Sequence, residues 1–410
     1  MIEQQIDKSN PMNSDISLHV RRLKSPHSHL ALFLGLSLVA LGVVVEGASR
    51  IVYAHKDGLK GQLHIPMSLL HEYEERDPKY PANWRLKAGF IETFGELKAR
   101  IRSGQLPPGT HPPAGADRDG NADGIFVRVN REGFRGPEIA PSHSKPRVLT
   151  IGDSCTFGTT EESTYPRAIQ RKLHELGRDV EVINGGVEGY SPWNVLSRID
   201  QFKRLRPEVT TVYIGWTPLF AGPQVTGVSR SWARLDSLRL AGIGVNLVLQ
   251  AVEGAHPLDL HANTAPKHPD ADAPEVRRLN DFVPGFMPDL EAIAREMQSV
   301  GSKVILVTLP GLYTSDGPVS AKALEVGHLP AFTDNPYVLA KMSERYNEAL
   351  RRLAERQHLQ LIDLDGWSRQ ALTPRDEHFA DSVHVNGHGE QLVGDYIATQ
   401  LLPALTTDFK

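Results

Sequence analysis

Val148-Leu149-Thr150-Ile151-Gly152-Asp153-Ser154-Cys155-Thr156-Phe157-Gly158, residues 148–158, is the stretch on which the fold turns. An apolar, β-type run ends in a Gly-Asp-Ser turn with a glycine close behind. A buried parallel strand hands a serine to the mouth of a site in this way. A serine hydroxyl is a poor nucleophile at neutral pH, so Ser154 needs a base, a group to orient that base, and donors for an oxyanion.

The base is found far downstream, in Phe379-Ala380-Asp381-Ser382-Val383-His384-Val385-Asn386-Gly387-His388-Gly389. Asp381 and His384 stand three residues apart in a loop entering a helix. That is close enough for the carboxylate to accept the imidazole Nδ1–H while Nε2 points at the serine. Gly-Asp-Ser and Asp-x-x-His are each common turns when met alone. Their order, one after the first strand and the other before the last helix, points to catalysis. His388 reads as a helix-start residue rather than a second base.

With these residues in hand, the chain resembles the SGNH/GDSL hydrolase family, whose conserved blocks are built on Ser, Gly, Asn and His. Ser154 matches the nucleophile, and Asp381 with His384 match the Asp-x-x-His block. Val182-Ile183-Asn184-Gly185-Gly186-Val187-Glu188-Gly189-Tyr190-Ser191 looks like block two, which makes Gly189 the backbone oxyanion donor. Block three departs from the pattern: in Thr211-Val212-Tyr213-Ile214-Gly215-Trp216-Thr217-Pro218, Thr217 stands where the family has its oxyanion Asn. A threonine hydroxyl can donate, but it is shorter than a carboxamide, and Pro218 restricts its backbone. Losing one such donor costs about 3 kcal/mol, roughly a hundredfold to a thousandfold in rate. A slow enzyme, an enzyme with another donor, and a degenerate glycan-binding member all remain open.

The resemblance implies acyl transfer through an acyl-serine, with an oxyanion hole from the N–H groups of Ser154 and Gly189 and from Thr217. The acceptor is either water, giving an esterase, or a sugar hydroxyl, giving an O-acyltransferase. Exported, anchored relatives of this kind are associated with acetyl groups on cell-envelope or secreted polysaccharides, so the expected partner is an acylated small molecule or polysaccharide. No cofactor is expected.

The chain has 410 residues, 40% hydrophobic, with a formal net charge of -4, which suits one large domain with appendages and excludes the basic character of a nucleic-acid binder. Cys155 is the only cysteine, so no disulfide forms within the chain, and its thiol reads as packing. Residues 30–45 are an uninterrupted apolar run with Arg21, Arg22 and Lys24 just before it. This reads as a transmembrane anchor over 28–46, a cytoplasmic tail over 1–27 and export of everything beyond. A cleaved signal peptide is the rival reading.

Residues 47–145 form a linker and accessory region rich in Pro, Gly and charge, with a helix expected over 91–101. Asp119, Asn121 and Asp123 place oxygen ligands at alternate positions, as at the opening of a Ca²⁺ loop. The same residues also make an ordinary turn, and no metal site is assigned. Asn130-Arg131-Glu132-Gly133-Phe134-Arg135-Gly136 matches a segment that precedes the serine block in membrane-attached relatives. It is read as a packed turn with a solvated Arg135, the alternative being an arginine at the mouth.

From residue 146 onward, short apolar runs alternate with helical ones, which argues for a parallel sheet covered on both faces. The resemblance makes this a flavodoxin-like three-layer α/β sandwich with five parallel strands, occupying 146–405 and carrying insertions at about 218–280 and 310–335. Strands are expected at 147–151, 180–184, 209–214, 304–309 and 359–364. Helices follow from Ser163 or Thr164 to 177, from 191 to 207, over 287–300 and 337–358, and from about 388 to 402. His256, His261 and His268 fall in the first insertion at spacings that fit no metal site.

Overall fold

The β-branched and apolar runs become five strands: β1 (Arg147–Gly152), β2 (Glu181–Gly186), β3 (Val209–Tyr213), β4 (Lys303–Val307) and β5 (Gln360–Ile362). In this computed structural model the described residues are 37, 71–78, 83–104, 123–220 and 263–405. The strands form one parallel sheet in the order β5-β4-β3-β1-β2. Register runs from Arg147 opposite Glu181 to Gly152 opposite Gly186 on one side of β1, and from Val148 opposite Val209 to Gly152 opposite Tyr213 on the other. Every residue of β1 and β3 is buried, as strands covered on both faces must be. The chain starts at β1, steps to β2, then returns past β1 to β3. That reversal opens a crevice at the carboxyl ends of β1 and β3.

The helices that matter to the site are α1 (Ser154–Phe157), α2 (Tyr165–Glu175), α3 (Pro192–Ser197), α4 (Ile199–Arg204), α5 (Trp216–Phe220), α6 (Met287–Gln298), α7 (Pro336–Gln357), α8 (Leu364–Ala371) and α9 (Gly387–Leu405). Thr164 caps α2, its Oγ1 accepting the Arg167 N–H at 3.2 Å, and Pro166 sits in the first turn. The buried stripe Tyr165, Ile169, Leu173 faces inward, and α2 packs on α9. The two backbones approach closely at Gly394, where a Cβ would lie 2.6 Å from the Tyr165 carbonyl oxygen. A second set, α3, α4, α6 and α7, packs together around α6. Right-handed crossovers from a sheet whose order reverses at β1 put these two sets on opposite faces.

Three elements differ from the periodic reading. The single helix expected from 191 to 207 breaks at Arg198, whose φ is -116. Its guanidinium is held inside by the Tyr190 hydroxyl at 2.6 Å and by Asp77 at 3.7 Å, so tertiary bonds override helical periodicity. The expected helix over 91–101 is a strand, Ile91–Thr93, followed by a helix, Phe94–Arg102. Thr93 divides them through a capping box: its N–H donates to Glu96 at 2.7 Å, and its Oγ1 accepts the Glu96 N–H at 3.3 Å. The polar loop before Asp381 contains α8, opened by Asp363, which accepts the Gly366 N–H at 3.2 Å.

Ahead of β1, Glu74–Arg76 pairs antiparallel with Trp84–Leu86, the N-terminal hairpin, and Ile91–Thr93 with Ile125–Arg128. These pieces join the main core. Trp84, Leu86, Phe126, Val129 and Phe134 are buried in it, and Phe134 meets Phe202 ring to ring at 5.8 Å. Arg135 bridges Val129 and Asn184 in antiparallel fashion, so this segment lies against the β2 edge of the sheet. The stretch 310–335 holds the helix Ala321–Val326 and the short strand Leu329–Pro330, paired with Asn263–Thr264. The apolar run 30–45 lies, but for Ser37, outside the described residues, as do His256 and His261. Among the described residues no helix is long and apolar enough to cross a membrane.

Candidate active site

Ser154 is the first residue of α1, set down immediately after β1 and half-exposed. The turn is close-packed: a Cβ on Gly186, at the end of β2, would overlap the Phe157 backbone. The buried Asp153 carboxylate ties the turn to its neighbours. Oδ1 accepts the Cys155 N–H at 3.1 Å, and Oδ2 accepts the N–H groups of Gly215 and Trp216 at 3.2 Å each. Burial pushes this carboxyl's pKa up, against the pull of those donors. The residue before Ser154 is thereby bonded to the residue before Thr217.

The two distant loops converge. His384 Nε2 lies 2.7 Å from Ser154 Oγ, and His384 Nδ1 lies 2.7 Å from Asp381 Oδ2. Asp381 is fixed in turn: its Oδ1 accepts the N–H groups of Val383 and His384 at 2.8 Å each. The His384 and Asp381 side chains are 30% and 25% exposed, so the pair can be reached from solvent. Burial disfavours the charged imidazolium. The Asp381 carboxylate outweighs it and holds the His384 pKa well above 6.5. Burial also works against the Asp381 anion, but His384 and the backbone donors keep this carboxyl well below the ordinary range.

The expected oxyanion donors sit at the ends of the same strands. Gly189 follows β2 with φ 71, in the left-handed region that favours glycine. Among the described residues, the N–H groups of Ser154 and Gly189 make no hydrogen bond, which leaves them free to donate to a ligand. Thr217 is the second residue of α5 and half-buried, and among the described residues no hydrogen bond to its hydroxyl is present. Cys155 is buried, its Sγ 3.5 Å from the Val383 carbonyl, and burial pushes the thiol up to about 12, so it is a packing group at neutral pH.

Arg135 is neither at the mouth nor solvated. It is 3% exposed, donates from Nη1 to the carbonyls of Phe157 and Gly158 at 2.8 and 2.7 Å, and covers the Phe157 ring at 4.0 Å. It buttresses α1 from behind. Asp119 and Asn121 lie outside the described residues, while Asp123 lies within them. Among the described residues no group of three His, Cys, Asp or Glu side chains is arranged to hold a metal. His268 is exposed and bonded to Asp334 at 2.8 Å. The sequence reading missed Asp153 and placed Arg135 in solvent. The signal available for Asp153 was its place as the residue capping a helix at a strand end.

A parallel α/β sheet with a Ser-His-Asp series at its switch point defines a class, the serine hydrolases of open-sheet architecture. Within it, the model of the GDSL-like Lipase/Acylhydrolase family matches residues 150–392, and the chain belongs to that family, a family of ester hydrolases. An arylesterase from Vibrio mimicus is 27% identical over 116 residues, which span 28% of this chain and 58% of the arylesterase. Among solved structures, the chain is similar to an acetyl xylan esterase, AlAXEase, at 18% identity and a TM-score of 0.39, covering 62% of this chain and 100% of that one. It is also similar to a lipase/acylhydrolase from Enterococcus faecalis at 16% identity and a TM-score of 0.37, covering 62% and 95%.

Proposed function

We propose that the protein is a serine esterase that removes O-acyl groups, acetyl in particular, from a cell-envelope or secreted polysaccharide. One observation carries the serine mechanism: the hydrogen-bonded series from Ser154 through His384 to Asp381, 2.7 Å at each step. His384 takes the Ser154 proton as Oγ attacks the ester carbonyl. The N–H groups of Ser154 and Gly189, with the Thr217 hydroxyl, face the oxyanion. Collapse expels the alcohol, which takes the proton from His384. Water, deprotonated by the same imidazole, then frees the acid. The acetyl and polysaccharide parts of this reading rest on the resemblance to exported relatives.

Thr217 is the observation that favours a second reading, glycan binding without turnover, because the family's carboxamide donor is missing. The test uses an aryl acetate and an acetylated oligosaccharide, with wild type beside Ser154→Ala. Acetate released by wild type and not by Ser154→Ala supports the esterase; equal release by both defeats it. No release with glycan still bound favours the binding protein, and acetyl delivered to a sugar hydroxyl in preference to water assigns an O-acyltransferase. We place the enzyme outside the inner membrane, anchored through 28–46, on the strength of the apolar run 30–45 and the cations Arg21, Arg22 and Lys24 before it. Cell fractionation with protease added outside tests this: a cytosolic, protected enzyme would refute it.

A further inference from the structure

Gly189 shares a peptide unit with Glu188, and whatever holds that unit decides where the Gly189 N–H points. The Trp84 indole Nε1–H donates to the Glu188 carbonyl oxygen at 3.1 Å. In a trans peptide the C=O and N–H of one unit point in opposite directions. An indole fixed on the oxygen side therefore turns the Gly189 N–H away from itself. Trp84 also walls the turn: its ring lies 3.1 Å from where a Gly189 Cβ would stand. The indole is itself fixed, 8% exposed, edge-on to the Tyr190 ring at 5.3 Å, with the Tyr190 hydroxyl donating to its main-chain oxygen.

The Glu188 side chain is held by the same stretch of chain. Its Oε2 accepts the Tyr73 hydroxyl at 2.5 Å and pairs with His71 Nε2 at 3.0 Å. Tyr73 in turn stacks on Phe157, the last residue of α1, at 5.2 Å. His71, Tyr73 and Trp84 all come from 71–86, outside the parallel sheet and outside the family match at 150–392. A glycine on one side of a peptide unit makes flipping that unit inexpensive, so a loop of this kind needs an external hold.

We propose that the N-terminal hairpin, through Trp84, positions the oxyanion loop by holding peptide 188–189 with its N–H turned toward Ser154. This rests on the reading of Ser154 as nucleophile and Gly189 as oxyanion donor. Trp84 touches no reacting atom and acts through Gly189, as a positioning residue. A donor on the Glu188 carbonyl also polarises the amide and strengthens its N–H as a donor.

Trp84→Phe keeps a ring in the wall and removes the N–H. The full chain carrying it should show kcat lowered about 10- to 100-fold with KM within about twofold, part of the loss that deletion of a whole oxyanion donor brings. Affinity for a phenylboronic acid, whose tetrahedral Ser154 adduct mimics the transition state, should fall by the same factor as kcat/KM. Boronate binding needs no turnover, so the comparison stands even for a slow enzyme. Unchanged kcat and boronate affinity in folded Trp84→Phe overturn the proposal, as does a loss confined to KM. If Trp84→Phe does not fold, Tyr73→Phe and His71→Gln decide: lowered kcat at constant KM supports the hairpin's role, and unchanged kcat in both overturns it. Ser154→Ala runs alongside. Turnover surviving in Ser154→Ala defeats the underlying reading. Turnover lost there and intact in Trp84→Phe defeats this proposal alone.

Discussion

His384 must be neutral to take a proton, yet Asp381 beside it favours the imidazolium. Burial pulls the other way and loses, so the His384 pKa stands well above 6.5. Cys155, pushed up to about 12 by burial, stays a thiol around neutrality and adds no negative charge. In the free enzyme kcat/KM should therefore climb with pH through a midpoint above 6.5 and then level off. Asp381→Asn removes the anion and leaves the desolvation, so the same limb should move to 6.5 or below while kcat falls about 10³- to 10⁴-fold. A pH–rate profile of both forms checks this, and a limb that does not move contradicts it. At Thr217 the expectation is a gain. A carboxamide reaches farther than a hydroxyl, so Thr217→Asn should raise kcat by about tenfold, a fraction of what a full oxyanion donor contributes. A lower kcat in a stably folded variant would show that the hydroxyl already serves.

At the scale of elements, the nucleophile is as well placed as α1 is seated on the sheet. Gly186 permits that seat, because a Cβ there would overlap the Phe157 backbone and no side-chain rotation can relieve it. Gly186→Ala should cost about 1–3 kcal/mol in a denaturant melt and lower kcat as well, since Ser154 opens the helix that must shift. Stability lost with kcat intact would show that α1 moves as a body without disturbing Ser154. Elements whose signals are local were legible in the sequence. The strands showed as apolar runs, α2 through a cap at Ser163 or Thr164, and α7 through its span to His358, which takes φ 52. The Ser154, Asp381 and His384 series was legible too, because each block carries its own spacing. What escaped was set by partners distant in sequence. The break at Arg198 answers to Asp77, the Asp153 carboxylate to Gly215 and Trp216, and the burial of Arg135 to the Phe157 and Gly158 carbonyls. Thr93 is the exception, since its capping box with Glu96 was written in four consecutive residues.

Across the whole molecule, the pH at which the chemistry runs best differs from the pH at which the N-terminal hairpin is held best. Burial opposes charge on His71, but Glu188 prevails and raises its pKa to about 9, from 6.5. Burial likewise opposes the Glu188 anion, yet His71 and Tyr73 lower its pKa to about 2, from 4.5. Burial pushes the adjoining Glu74 carboxyl up to about 8 in spite of His71, whose N–H it accepts at 3.0 Å. A histidine whose pKa rises on folding contributes stability that is whole below 6.5 and is lost as pH climbs through about 9. A carboxylate whose pKa drops contributes stability present above 4.5 and lost as pH falls through about 2. Both contributions are complete only between 4.5 and 6.5, below the range in which His384 becomes a free base. Glu74 loses stability as pH climbs from 4.5 through about 8, and His384 adds an alkaline loss of the same sign, so the raw Tm of wild type cannot isolate the His71–Glu188 pair. The difference in Tm between wild type and His71→Gln can: it should be largest from 4.5 to 6.5, shrink steadily above 6.5 and be lost once pH passes about 9. A difference that stays constant across that range would mean that His71 holds Glu188 as a neutral hydrogen-bond donor. The hairpin would then keep its grip on the oxyanion loop at the alkaline pH where the imidazole works.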